Sequence, residues 1–511
     1  MIDPITLEVA RNRFAAIADE MGTVLRRTSL SPNIKERADC SAAVFTPDGE
    51  MLAQAEHIPV HLGSMPASVQ ACLDRFDPIP GLQYAVNDPY QGGTHLNDLT
   101  IVAPVFVGGE HVAWVANRAH HADVGGEAPG SMPAHATRLE QEGHIVAPMV
   151  AVEDGVWTEE FVRPFVSASR TPWERRGDLD GQMGANAVAV RRLSELVDSV
   201  GIDRYTEVAA ALLDYGERRA RAALARVPDG IYEFTDYMEA GDRDVAIRVS
   251  VTVDGETLQA DFTGSDTQVE ANFNAVEAVT RSCLYYAVRV ATDPTIPGNG
   301  GCYRPLSLTA PEGTIVNARP PAAVAAGNVE TSQRIADVLL GALARAVPDR
   351  VPAAGQGTMN NVLVGNDDFA YYETVAGGQG ARPYRDGQSG IHTGMTNTQN
   401  TPIESLHHHY PFRVTSYTLR RGSGGNGKFR GGDGIHREIE FHTTAILSLM
   451  GERRRIAPWG LAGGEPGMCG EDWLLRSSGT RERLPAKTTV QVSPGDRLVV
   501  LTPGGGGWGS P

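Results

Sequence analysis

The sequence predicts a multidomain α+β chain, mixed α/β in content, and three observations carry that reading. At 511 residues the chain has room for about two to four domains. Its N-terminal part alternates apolar residues at helical spacing with short β-like runs that end in turn residues. Its last stretch alternates short apolar runs with glycine-rich turns, the pattern of a β-rich domain. The expected division is 1–228, an α+β domain carrying a hairpin rich in His and Asp; 229–411, an α+β domain with polar, glycine-rich loops; and 412–511, the β-rich domain.

The elements follow in order. Asp3 is placed to cap a helix, and Pro4 suits its first turn. Leu7, Phe14, Ile17, Met21 and Val24 then recur at helical spacing through Arg27, a stripe for core or subunit packing. The run S-A-A-V-F-T-P-D-G-E-M-L-A-Q predicts a hairpin turning at Pro47, Asp48 and Gly49. Met65 to Phe76 reads as a helix with Ser64 as its cap. Trp173 to Val227 predicts two or three packed helices that close the first domain, and its arginine-rich end is read as a solvated face. Gly230 to Phe262 alternates like antiparallel strands, with a turn at Asp254-Gly255. Helices are expected at Val276–Ala291 and Val329–Ala346. Asn328 and Thr331 stand near the start of the second, whose peptide N–H groups could hold an anion.

The stretch Asn87–Glu127 concentrates the chemistry. His95 and Asp98 are three residues apart, so a helical turn or tight loop lets both face one centre. The run T-I-V-A-P-V-F-V, a turn at Gly108-Gly109 and the run H-V-A-W-V-A then bring His120 back beside that start. His121 and Asp123 lie on the same returning limb, and Gly92, Gly93, Gly125 and Gly126 permit close backbone approach. Imidazole with carboxylate is a ligand set for zinc, manganese or iron(II), with positions left for water or substrate. Taken alone, His95 and Asp98 read first as a satisfied core histidine beside an acid; His120, His121 and Asp123 on the returning limb turn the reading toward a metal site. His57 and His61 are four apart, but Pro59 between them breaks the single-face argument for a metal pair, so packing around the site is their default reading. Residues 126–148 read as a loop-rich cover carrying His135, Glu140, Glu142 and His144.

Residues 355–410 are dense in amides and hydroxyls and read as a second functional surface, either a site or a subunit interface. His407, His408 and His409 are expected on a loop, pointing different ways. G-S-G-G-N-G-K-F-R-G-G-D-G, from Gly422, suggests a phosphate cradle, but Phe429 follows Lys428 where a P-loop needs Ser or Thr. No Walker motif or dinucleotide fingerprint stands elsewhere. A net charge of −17 and pI near 5.3 argue against nucleic acid and against an acidic membrane surface. No apolar run approaches membrane-spanning length, no secretory leader is apparent, and the five cysteines form no C-x-x-C pair, so a cytoplasmic protein without structural disulfides is expected.

N-D-P-Y-Q-G-G-T-H-L-N-D followed by N-R-A-H-H-A-D-V-G-G resembles the signature of the hydantoinase B/oxoprolinase family, most closely its N-methylhydantoinase B-type members. D-F-T-G-S at Asp261, Y-E-T-V-A-G-G at Tyr372, M-T-N-T-Q-N-T-P-I-E at Met395 and the closing T-P-G-G-G-G-W-G extend the resemblance over essentially the whole chain. The resemblance implies a divalent metal (Zn, Mn or Fe) held by Asp39, His95, Asp98 and His120. Asp39 enters only by resemblance, with Glu36 as its competitor. His121, Asp123 and Glu142 are then candidates to move protons or orient a ligand, Glu142 because Q-E-G belongs to the family pattern. The implied activity is ATP-dependent hydrolysis of a small cyclic amide (a hydantoin, 5-oxoproline or another lactam). A hydantoinase A-type partner would bind ATP and Mg, in an A2B2 or larger heteromer. The alternative is the large subunit of an ATP-dependent ketone carboxylase.

Overall fold

The computed structural model describes residues 2–55, 58–241 and 243–511. Asp3 caps the N-terminal helix Pro4–Thr28, its carboxylate accepting from the N–H of Ile5 and Thr6. Phe14, Ile17, Met21 and Leu25 bury one face of that helix. The two predicted hairpins, Cys40–Phe45 with Met51–Ala55 and Asp98–Val107 with Glu110–His120, join one antiparallel sheet of seven strands. Across that sheet the order is Met51–Ala55, Cys40–Phe45, Glu110–His120, Asp98–Val107, Leu82–Val86, Met149–Glu153, Val156–Trp157.

Side chains alternate across a strand, so each strand presents two faces. One face packs on the helix Ser64–Leu73 through Phe45, Val69, Tyr84 and Trp114. That face also buries Arg118, whose guanidinium donates to the hydroxyls of Thr100, Ser64 and Ser68 at 2.9, 2.5 and 2.6 Å. The other face packs on the long helix Pro172–Val200, and buried amides tie the two together. Gln182 Nε2 donates to the Leu99 carbonyl at 3.0 Å, Asn186 Nδ2 to that of Ile101 at 3.1 Å, and Asn117 Nδ2 to Asn186 Oδ1 at 2.7 Å.

The helix Ile202–Leu224 follows, then a four-stranded sheet ordered Leu306–Thr309, Thr257–Asp261, Arg243–Asp254, Gly230–Ala240. Helices Glu277–Ala291 and Ser332–Ala346 cover it. The second helix starts later than its spacing suggests, because Gly327–Thr331 forms a π-helical turn ahead of it. Gly327 is needed there: a Cβ would meet the Asn274 carbonyl oxygen at 1.8 Å.

The boundary expected at 411/412 cuts through a sheet. Strands Ala370–Thr374 and Asn361–Gly365 pair on with Ala445–Met450 and Lys487–Val492 from the last stretch. A second sheet, of five strands, is built wholly from residues 412–501. His407, His408 and His409 lie in a short helix, Ile403–His409, and not on a loop. The glycine-rich runs pack backbone on backbone. Gly425 N–H donates to Gly505 O and Gly505 N–H to Gly432 O, each at 2.9 Å. A Cβ on Gly505 would meet Gln379 O at 2.1 Å, so these glycines serve close main-chain approach. Among the described residues no helix is long and apolar enough to cross a membrane.

Candidate metal centre

The site begins as a row across three strands. Asp98 and His120 are Cα partners at the end of the second hairpin. On its other side the same strand pairs Ala119 with Cys40, and the next residue, His120, donates its N–H to the Asp39 carbonyl at 3.0 Å. The two-residue alternation that sends Arg118 and Thr100 to the Ser64–Leu73 side sends Asp39, His120 and Asp98 there too. His95 joins from the tight turn before Asp98. Asn97 Nδ2 holds that turn by donating to the carbonyls of His121 and Gly130, at 2.9 and 3.1 Å. Gly93 is required nearby, since a Cβ would meet Asn87 O at 2.4 Å.

His95 Nε2 and His120 Nδ1 approach Asp98 Oδ1 at 3.1 and 3.4 Å, and His120 Nδ1 stands 4.0 Å from Asp39 Oδ2. The two oxygens of Asp98 differ. Oδ2 accepts from Thr94 Oγ1 at 2.8 Å and meets His61 Nε2 at 3.3 Å and Asn328 Nδ2 at 3.4 Å. Oδ1 is buried and makes no hydrogen bond among the described residues, and the same holds for His120 Nε2.

His95, Asp98 and His120 each offer a ligand atom within 4.8 Å of the others. Burial would raise the Asp98 pKa, but His95, His61 and His120 outweigh it and hold the carboxyl well below its usual range. Burial pushes Asp39 up to about 7, against the lowering by Arg37, and Asp98 adds to the rise. Burial also brings His120 down to about 3, so its ring is neutral and keeps a lone pair for a ligand bond. Two acids and two imidazoles around an unpaired carboxylate oxygen fit a divalent cation, because a buried carboxylate is costly without a compensating charge.

The cavity beside the row is small, about 20 Å³, near the space one water or ion occupies. His61, Asn328, Tyr372, Thr374, Thr396 and Thr398 help line it. Tyr372 stacks on His120 with ring centroids 4.7 Å apart, and the Arg37 guanidinium lies 4.6 Å from the Tyr372 centroid. The polar stretch 355–410 therefore contributes walls to this cavity.

Three sequence candidates stand elsewhere. His121 follows His120, so alternation turns its ring to the opposite face. There it meets Gln182 Oε1 at 3.0 Å and packs edge-on against Phe165. Burial, aided by Arg175, lowers its pKa to about 4. Asp123 is spent on structure, accepting from the N–H of Gly130 and from Arg170 Nη1 and N at 3.1, 2.9 and 2.8 Å. Glu142 is buried. It accepts from the N–H groups of Val324 and Ala325 at 3.0 and 2.9 Å, and burial raises its pKa to about 8. Its reach to the site is indirect: the carbonyl of Ala325, whose N–H it holds, meets His95 Nδ1 at 3.4 Å. Glu36, the rival of Asp39, bonds Ser405 at 2.8 Å. His135 and Glu140 are exposed and pair with Glu127 and Arg138, outside the cluster.

Other residues join the centre that spacing does not select. His61, expected to serve packing, is fully buried, with Ser41 Oγ at 2.8 Å from Nδ1 and Asp98 beyond Nε2. His57 lies outside the described residues. Asn328, expected near an anion site, turns its amide to His95 and Asp98 instead. Thr94 carries a signal, lying inside the G-G-T-H-L-N-D run. Asn328 carries none by spacing, since it reaches the site only through packing of a distant turn.

A family model described as Hydantoinase B/oxoprolinase matches residues 3–511. The chain belongs to this family. An uncharacterized protein of Methanocaldococcus jannaschii is 43% identical, over 100% of this chain and 91% of its own. The 5-oxoprolinase of Dictyostelium discoideum is 38% identical over 99% of this chain, which spans only 40% of that protein. A Pseudomonas protein named as the B component of a D-/L-hydantoinase is 32% identical, covering 100% and 90%. Among solved structures, the ATP-dependent caprolactamase of Pseudomonas jessenii superposes with a TM-score of 0.93 at 30% identity, covering 100% and 92%. An acetone carboxylase shares the fold, with a TM-score of 0.91 at 19% identity, covering 99% and 76%. The mixed α/β, multidomain architecture is thus the architecture of this family.

Proposed function

We propose that this chain is the metal-bearing B-type component of an ATP-dependent cyclic amidase that opens a small lactam or hydantoin ring. The observation that carries the reading is the buried Asp39–His120–Asp98 row with His95 at its end, converging on one carboxylate oxygen that makes no hydrogen bond among the described residues. Asp39, His95, Asp98 and His120 would hold the cation, and a bound divalent ion would polarise a substrate carbonyl and make water a better nucleophile near neutrality.

The remaining chemistry belongs to the chain. Thr94, His61 and Asn328 fix Asp98 Oδ2, so Oδ1 stays aimed at the centre. Tyr372 stacked on His120 keeps that ring from rotating and excludes bulk water from its face. Glu142 anchors the Ala325 peptide against His95 Nδ1 and so favours the tautomer with a proton on Nδ1 and a lone pair on Nε2. His121 and Asp123 support this frame and do not touch the reacting atoms.

An unstrained amide resists hydrolysis, which gives a physical reason for coupling to ATP. The relatives named as a hydantoinase B component and an ATP-dependent caprolactamase support an A-type, ATP-binding partner with its own Mg. The glycine-rich runs here are committed to main-chain packing, in keeping with nucleotide binding on the partner. The test is co-expression with an A-type ATPase partner, metal analysis, and ATP-dependent turnover of a lactam panel. A metal-loaded complex that turns over no cyclic amide would sink the proposal. The acetone carboxylase fold keeps a ketone carboxylase as the second reading, and dependence of ATP turnover on bicarbonate and a ketone would select it.

A further inference from the structure

A second cavity, of about 270 Å³, adjoins the metal centre. Thr396 lines both, and Pro59 on its wall sits between Ile58 and Val60, which line the smaller one. Its volume lies just below the usual range for small-molecule pockets, enough for one small ring. Two nitrogen atoms of its lining residues are buried and lack a hydrogen-bond partner among the described residues: His392 Nε2 and Trp459 Nε1. Each is a group that a native structure seldom leaves unmatched. The His392 ring is oriented by Thr396 Oγ1, 3.4 Å from Nδ1. Burial, with Arg37 adding to it, holds that ring neutral, its pKa down at about 3.

The charges matter more than the volume. No Arg or Lys is among the described residues that line either cavity. The larger one has a single carboxylate, Asp337, already paired with Arg453 at 2.6 Å. Three guanidinium groups stand behind the walls and are engaged, the nearest being Arg453, whose Nη2 is shared between Asp337 and Asp236 at 2.6 and 2.8 Å. Arg37 spends its terminal nitrogens on Asn33, Tyr372 and Thr374, and Arg382 donates to Gln379 Oε1 at 3.0 Å. A carboxylate brought into this space would be a buried charge without a partner, which is strongly unfavourable. A neutral amide has what the walls lack: a carbonyl for the Trp459 N–H, and an N–H or carbonyl for His392 Nε2.

We propose that this cavity is the chamber for the substrate ring, and that it selects an uncharged cyclic amide over a ring bearing a carboxylate. The proposal rests on the cyclic-amidase reading above and narrows its substrate class.

Two probes differ in the decisive feature: 2-pyrrolidone, and 5-oxoproline, which is the same ring with a carboxylate. Binding of each to the full chain is measured by titration calorimetry and saturation-transfer NMR. The expected result is 2-pyrrolidone bound at least about tenfold more tightly, roughly 1.4 kcal/mol, with transfer from the Trp459 indole. His392→Phe and Trp459→Phe should each weaken 2-pyrrolidone about 3–10-fold, the worth of one hydrogen bond, with unchanged melting temperature.

Equal or tighter binding of 5-oxoproline, above all if Arg382→Gln abolishes it, overturns the proposal. So does binding of neither ring, or unaltered affinity in both folded variants. The chain has six tryptophans, so transfer is assigned to Trp459 by its loss in Trp459→Phe, and His392→Phe carries the test if that substitution prevents folding. Failure of the two readings is separable. Pyrrolidone binding by a chain that holds no metal would leave the chamber and remove the centre. Lactam turnover by a metal-loaded complex, indifferent to both variants, would do the reverse.

Discussion

Asp98 and His120 are cross-strand partners at the open end of one hairpin, and their side chains meet at 3.4 Å. Strand pairing thus brings an acid and an imidazole together, and the next strand adds Asp39 in the same row. A one-residue slip in register would send either side chain to the other face and dismantle the row.

His120→Ala removes a ring that no other group replaces. Bound divalent metal should fall from about one per chain to near background, and ATP-dependent turnover should drop by roughly 100-fold or more, as expected where a metal ligand is lost. The fold should persist, because the hairpin is held by its ladder and not by this ring. Metal analysis after dialysis, with a far-ultraviolet dichroism spectrum, checks both. Full metal content in the variant would remove His120 from the centre.

His61→Ala acts one step out. It strips one partner from Asp98 Oδ2 and leaves Ser41 Oγ facing an empty space. Metal affinity should weaken roughly 10–100-fold, as is usual when a group orienting a ligand is removed. Competition against a chelator measures it, and an unchanged constant would return His61 to simple packing.

Glu142→Ala should be felt in stability before chemistry. It leaves the buried N–H groups of Val324 and Ala325 unpaired, at about 1–3 kcal/mol each. Glu142→Gln keeps an acceptor oxygen and should cost less. Urea unfolding of the two variants gives the comparison; equal losses would mean that the carboxylate does more than accept these two bonds.

Asp236 belongs to a buried ion-pair network with Arg334 and Arg453 and shapes the acid limb of stability. Its Oδ2 accepts from Arg334 Nη1 at 3.1 Å and Arg453 Nη2 at 2.8 Å. Burial opposes ionisation, but the two guanidinium groups prevail and bring its pKa to about 2. A carboxyl depressed on folding binds fewer protons in the native state than in the unfolded one. Its stabilisation is therefore complete above the ordinary value near 3.8 and is lost as pH falls through about 2. Asp236→Asn should cost about 3 kcal/mol or more at pH 7, since it leaves two buried cations short of a partner. It should also flatten the loss of stability between about pH 4 and pH 2. Unfolding free energies at pH 7 and pH 3 test this; a parallel acid limb in the variant would contradict it.

Much of the architecture was legible because it is local. Asp3 and Pro4 announce a helix start, and Gly108-Gly109 between two β-like runs announces the hairpin. Once the hairpin is granted, His120 must return near Asp98. Glu142 illustrates the limit: nothing in the Q-E-G run shows that Val324 and Ala325 come to cover it. The sheet that spans 411/412 has the same origin, since the strands from 361–374 find partners far along the chain.

The sequence by itself therefore determined the elements and the pairing of His95, Asp98 and His120, because capping, turn chemistry and the two-residue alternation act between near neighbours. Only the tertiary structure decided that Asp39 completes the row while His121 turns away. It alone brought His61, Asn328 and Tyr372 around the centre and tied Asp123 to Arg170. Those outcomes depend on which surfaces pack together, and residue spacing along a chain carries no record of contacts made between elements hundreds of residues apart.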